Sequence, residues 1–133
     1  METRNLKSHQ LNTLAGQIIS AAMEVHTILG PGLLESTYET CLLEELTMRG
    51  FNAAPQVYLP VKYKGEKLDA GYRIDLMVED SIIVELKAVE TLTNLHIAQL
   101  LAYLKLSNTR LGLLINYNVL HLRDGIKRVV NKF

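Results

Sequence analysis

Two short segments, residues 72–78 and 82–88, joined only by Glu79-Asp80-Ser81, constrain this chain more than anything else in it. Each reads as a strand, because apolar residues recur at every second position: Ile74, Leu76 and Val78 in one, Ile82, Val84 and Leu86 in the other. A three-residue link makes them an antiparallel hairpin. If both apolar sets are to share a core face, the register must centre on Asp80, since a slip of one residue turns every side chain over. That register sets Asp75 directly opposite Glu85, with Cβ atoms about 5 Å apart. Lys87, two residues further along, points to the same side.

Two carboxylates opposed at that range repel and weaken a hairpin. A cation between them would remove the cost. Lys87 answers that need in part and a bound metal answers it better. An oxygen-rich, carboxylate-dominated set suits Mg²⁺ or Mn²⁺ rather than zinc. The plain alternative is a solvent-facing strand surface with an ordinary Asp/Glu/Lys cluster, and spacing alone leaves both readings open.

Around the hairpin the pattern alternates between helix and strand. Leu11, Leu14, Ile18, Ala22, Val25 and Leu29 recur at three- and four-residue steps and predict a helix over residues 8–29, stopped by Gly30-Pro31-Gly32. A second helix over about 33–49 carries Leu34, Tyr38, Cys41, Leu42 and Leu46, with Gly50 as its stop. Alternation through Val57, Leu59, Val61 and Tyr63 predicts one strand over 56–63, then a turn at Lys64-Gly65-Glu66. Residues 93–106 read as a helix whose apolar positions include Leu95, Ala98, Leu101, Ala102 and Leu106, with His96, Gln99 and Tyr103 along a separate polar face. The run 111–115 is nearly all apolar, as in a strand buried on both faces. The tail reads as a short strand, a turn at Asp124-Gly125, then strand or helix. The sum is an α/β chain with a mixed sheet flanked by helices.

A length of 133 residues suits one domain, 1–133, and 48% apolar with 21% charged residues excludes a disordered chain. The lone Cys41 excludes an internal disulfide, and its place on an apolar helical stripe makes it a small hydrophobe rather than a nucleophile. No apolar run approaches the roughly 20 residues of a membrane span, and residues 1–5 lack the order of a signal peptide, so a cytoplasmic chain with no membrane partner is expected. Net charge is zero but segregated: residues 1–104 hold 8 Lys/Arg against 13 Asp/Glu, while residues 105–133 hold 6 against 1. Within that basic tail Arg123, Lys127 and Arg128 are candidates for contact with phosphates, a solvated face being equally compatible. His26, before the Gly-Pro-Gly break, reads as a capping or core histidine, with a place in the pocket, near Glu35 in sequence, as the alternative.

Asp75 followed by Glu85-Leu86-Lys87 on the next strand resembles the Asp…Glu-x-Lys signature of the PD-(D/E)XK nuclease superfamily, with Ile74 where the superfamily's name places proline. Gly32-Leu33-Leu34-Glu35-Ser36-Thr37-Tyr38 is similar to the GxxExxY motif of one small-protein family within it. The blocks at residues 72–75, 84–88, 99–104 and 112–116 resemble that family as well. The resemblance implies a restriction-endonuclease-like αβββαβ core over about 17–130, with an extra N-terminal helix. It implies that Asp75, Glu85 and the backbone carbonyl of Leu86 ligate Mg²⁺ or Mn²⁺, that Glu35 reaches the metal through water, and that Lys87 positions the attacking water. Gln99 and Tyr103 resemble the Gln-x-x-x-Tyr element of RecB-like nucleases, and His96 shares their face. The implied activity is metal-dependent hydrolysis of nucleic-acid phosphodiester bonds, with DNA as the expected partner in processing or repair. The alternative is a catalytically weak module that keeps the fold for protein–protein interaction or dimerisation; a homodimer would double the basic surface of residues 105–133.

Overall fold

A computed structural model describes residues 5–133; the signal-peptide reading falls mainly on residues 1–4, which lie outside the described residues. The elements are α1 (Ser8–Leu29), α2 (Glu35–Met48), β1 (Ala53–Tyr58), β2 (Val61–Tyr63), β3 (Glu66–Leu68), β4 (Arg73–Val78), β5 (Ile82–Lys87), α3 (Asn94–Ser107), β6 (Leu111–Asn116) and β7 (Ile126–Val130), with one 3₁₀ turn at Leu122–Gly125. Helix α1 ends where expected, because Gly30 takes φ +69°, a value that favours glycine.

Five strands form one mixed sheet in the order β1-β4-β5-β6-β7. Only β5 and β6 run parallel, joined through α3, while the other neighbours are antiparallel. Helices α1 and α2 cover one face, burying Ile18, Ala22, Tyr38, Leu42 and Leu46 against Leu76, Val78, Val84, Leu86, Leu113 and Ile115. Helix α3 covers the other face, where Leu100, Tyr103 and Leu104 meet Met77, Ile83, Leu114 and Val129. All six residues of β6 are buried, since both of its faces are covered. This is the mixed α/β architecture expected of a restriction-endonuclease-like core.

Four details depart from the sequence reading. The single strand expected over 56–63 is two strands, broken at Leu59-Pro60, where proline has no N–H to offer a ladder. Its second half folds back with β3 as a separate small hairpin, Val61 opposite Leu68 and Tyr63 opposite Glu66. Ile74 does not share a face with Leu76 and Val78; it packs in the α3-side core with Met77 and Ile83. The backbone changes sides at Asp75, where regular pairing with β5 gives out. On α3 the apolar face is also not the expected one. Leu95 is 80% exposed and Ala98 and Ala102 are exposed, while Leu100 and Leu104 are buried and Ile97 packs beside them. Gly112 explains the choice: a Cβ there would stand 2.9 Å from Leu100 Cδ1, so the bare backbone of β6 is the seat for that side of the helix. In the tail, no strand precedes the turn, and the segment after it is β7 rather than helix.

Candidate active site at the end of the central hairpin

Strands β4 and β5 pair with Leu76 opposite Val84, Met77 opposite Ile83 and Val78 opposite Ile82, and the ladder stops there, one row short of Asp75 and Glu85. At that row the carboxylates take over from the backbone. Glu85 Oε2 accepts the Asp75 N–H at 2.7 Å, and Asp75 Oδ2 accepts the Leu86 N–H at 2.9 Å. Each acidic side chain therefore occupies the donor that a ladder carbonyl would otherwise take. Backbone amides offset part of the repulsion between two opposed anions.

The offset is incomplete. Burial, and then the charge of Asp75, push the Glu85 carboxyl up to about 8. Asp75 is also raised, by burial first and more weakly by Glu35, against the lowering effects of the Leu86 amide and Lys87. Carboxyls held this way take up a proton or a cation more readily than freely solvated ones do.

Helix α2 adds acid from the other side. Glu35, in its first turn, accepts the Ala88 N–H at 3.1 Å. Glu39, one turn later, accepts from Gln56 Nε2 at 2.7 Å and is raised by burial and next by Asp75. Glu35, Ser36, Glu39, Gln56, Asp75 and Leu86 line one cleft of about 280 Å³. Glu39 and Gln56 were missed by the sequence reading. The i, i+4 spacing of Glu35 and Glu39 was a visible signal. Gln56 had none: it sits at φ +51°, opposite Asp75, between the pairs Pro55–Leu76 and Val57–Ile74.

Lys87 leaves the same strand on the α3 side. Its Nζ lies 3.5 Å from Gln99 Oε1, and its charge lowers both Asp75 and Glu85. Lys87, Gln99 and His96 line a second cleft with Thr93 and Leu95. His96 has a structural task there, its Nδ1 accepting the Thr93 N–H at 3.0 Å in the cap of α3. Tyr103 is buried and meets Tyr72 edge-on with ring centres 5.7 Å apart. Its phenol is pushed up to about 12 by burial, then by Glu85, Tyr72 and Asp75, which places it in the field of the carboxylates.

Arg123, Lys127, Arg128 and His26 lie elsewhere. Arg123 lines a separate cavity of about 630 Å³ with His26, Gly30, Pro31 and His121, which shares no residue with either cleft. His26 is a core histidine whose Nε2 is 2.8 Å from the Val119 carbonyl oxygen. Lys127 and Arg128 sit exposed on the edge strand β7, opposite Leu114 and Leu113, and so point to opposite faces. Arg128 lies over the Phe133 ring at 4.7 Å.

The end of β5 is braced from behind. Asn116 accepts the Val89 N–H at 3.1 Å and donates to the Val89 carbonyl at 2.9 Å, while the Tyr117 N–H donates to the Lys87 carbonyl at 2.9 Å. Tyr38 steadies the approach to α2: its hydroxyl donates to the Gly30 carbonyl at 2.7 Å and accepts the Leu33 N–H at 3.1 Å. Its ring stacks on Tyr117 at 4.3 Å.

Among the described residues no three His, Cys, Asp or Glu side chains already stand in a closed metal-ligating group. The donor chemistry nevertheless fits a hard divalent ion: carboxylate oxygen donors, Glu85 buried and Asp75 half-buried, with more negative charge than the neighbouring lysine offsets. The profile of the PD-(D/E)XK nuclease superfamily matches residues 12–129. No curated protein and no solved structure matches the chain significantly.

Proposed function

Because the chain belongs to the PD-(D/E)XK nuclease superfamily, we propose that it hydrolyses phosphodiester bonds of nucleic acid, DNA in the first place, with Mg²⁺ or Mn²⁺ held at Asp75 and Glu85. The raised, mutually repelling Asp75–Glu85 pair is the observation that carries this reading. Within the superfamily we place the chain in the GxxExxY family, whose motif falls on Gly32, Glu35 and Tyr38.

Asp75 and Glu85 would hold the ion, with the Leu86 carbonyl beside them and with Glu35 and Glu39 lining a cleft together with Asp75 and Leu86. A bound divalent ion supplies charge for the phosphoryl oxygens and a more acidic water. Lys87 supplies a cation on the α3 side, oriented by Gln99, where it can position the attacking water and offset phosphate charge. Tyr103, kept protonated, offers a hydroxyl at the rear of the site.

The test is a cleavage panel of single-stranded, duplex and branched DNA and RNA with Mn²⁺. Asp75→Asn and Lys87→Ala should each lower the rate by a factor of about 100 or more, with folding retained by circular dichroism. No cleavage of any substrate by folded wild-type protein would contradict the proposal and favour the interaction module, which predicts partner binding indifferent to both substitutions. A homodimer belongs to the same proposal and is read from the mass in solution.

A further inference from the structure

The notable surface outside the carboxylate site is the small hairpin β2–β3 and its base. Between residues 58 and 73 lie Lys62, Lys64, Lys67 and Arg73 against Glu66 and Asp69, a net of +2. The rest of residues 1–104 holds four basic residues against eleven acidic ones, a net of −7. The basic group is thus an island on an acidic body. Lys62 and Lys67 are directly paired across the hairpin, both exposed. Opposed like charges weaken a two-stranded ribbon that has little core of its own. A polyanion would turn that cost into binding.

Three exposed tyrosines accompany these cations. Tyr58 is 44%, Tyr63 59% and Tyr72 43% exposed, although aromatic rings gain most from burial. Arg73 lies over the Tyr58 ring at 5.0 Å and Lys64 over Tyr63 at 5.4 Å. Open rings interleaved with cations are what an unpaired nucleic-acid strand uses: bases stack on the rings and phosphates meet the lysines. A duplex keeps its base faces stacked internally and cannot use the rings. The position is also apt. Tyr58 pairs with Arg73, two residues before Asp75, and Tyr72 contacts Tyr103 beside the carboxylates.

We propose that the β2–β3 hairpin, with Tyr58 and Tyr72 at its base, grips single-stranded nucleic acid and delivers it to the Asp75–Glu85 end of the sheet. The proposal rests on the nuclease reading for the use of the strand, but its test does not. Binding of a fluorescent 12-residue oligothymidylate is measured by anisotropy in EDTA, where no cleavage intervenes, beside a duplex of equal length. Wild type should prefer the single strand. Lys62→Gln/Lys67→Gln should weaken that binding at least tenfold and reduce the slope of log affinity against log salt by about 1.4, two phosphate contacts at roughly 0.7 each. Tyr63→Ala should weaken it about fivefold or more. The lysine variant relieves a repulsion, so its thermal midpoint should not fall, which separates lost binding from lost folding. Equal affinity for duplex and single strand, or wild-type binding by both variants, would overturn the grip even if Asp75→Asn abolishes cleavage. Loss of binding in both variants supports the grip even if wild type cleaves nothing.

Discussion

At the scale of single residues the site is an electrostatic compromise. Glu85 is 4% exposed, faces a second carboxylate and is supported by one backbone amide and a lysine that reaches elsewhere. Its carboxyl sits near 8 instead of the ordinary 4.5, so a proton is held by the folded chain long after the unfolded chain has released it. In metal-free protein the stability associated with neutral Glu85 is therefore fully present below about pH 4.5 and drains away as pH rises through about 8. Glu85→Gln should leave thermal stability near wild type at pH 4.5 in chelator and exceed it at pH 9, by a few kcal/mol. A variant less stable than wild type at pH 9 would contradict this. The nearness of Asp75 and Glu85 could be read from the sequence because side-chain parity allows one hairpin register, but Lys87, expected on the same side, lines the α3-side cleft and not the one that Asp75 lines. Glu39 was within reach through its i, i+4 spacing from Glu35, but Gln56 was not, because it meets Asp75 through a left-handed backbone that no local pattern announces.

At the scale of elements, the side chains of the candidate site are positioned by neighbours that line neither cleft. Asn116 ends β6 and holds Val89 by both its amide groups, fixing the chain directly after Lys87. Gly125 closes on the same point: a Cβ there would run into the Asn116 carbonyl oxygen, a contact with backbone that cannot swing away. Gly125→Ala should therefore lower stability by about 2 kcal/mol, measured by urea unfolding, and a neutral result would show that the turn relaxes freely. The bounds of α1 were readable because one apolar stripe runs unbroken into a glycine. Helix α3 was readable as a helix but not in its orientation, since Leu95, Ala98 and Ala102 compete with Ile97, Leu100 and Leu104 for the core. Gly112, on the strand after the helix, decides between them by admitting Leu100, and no pattern within the helix itself reveals that. The β2–β3 hairpin was hidden by alternation that runs straight across Pro60.

At the scale of the molecule, two cores share one sheet, and the carboxylates, Lys87 and the start of α3 gather where β5 ends. Fold class was legible because helical and alternating periods change cleanly along the chain. Charge was less legible, because counting along the chain hid the basic hairpin inside an acidic stretch and drew attention to the tail. In the tail, Arg110 donates to the Leu6 carbonyl at 2.8 Å and to Ser8 Oγ at 2.7 Å, and Lys127 and Arg128 place charge on an exposed edge strand, where charge deters pairing with other chains. No described helix is long and apolar enough to cross a membrane.

If Asp75 and Glu85 are the metal site, they must exchange a proton for a divalent ion. Calorimetric titration of Mn²⁺ at pH 7, run in two buffers of different ionisation enthalpy, tests this most directly, since a carboxyl near 8 must release its proton to become a ligand. One ion should bind per chain with close to one proton released, and both should be lost in Asp75→Asn. Undiminished Mn²⁺ affinity in that variant, or binding without proton release, would contradict the exchange.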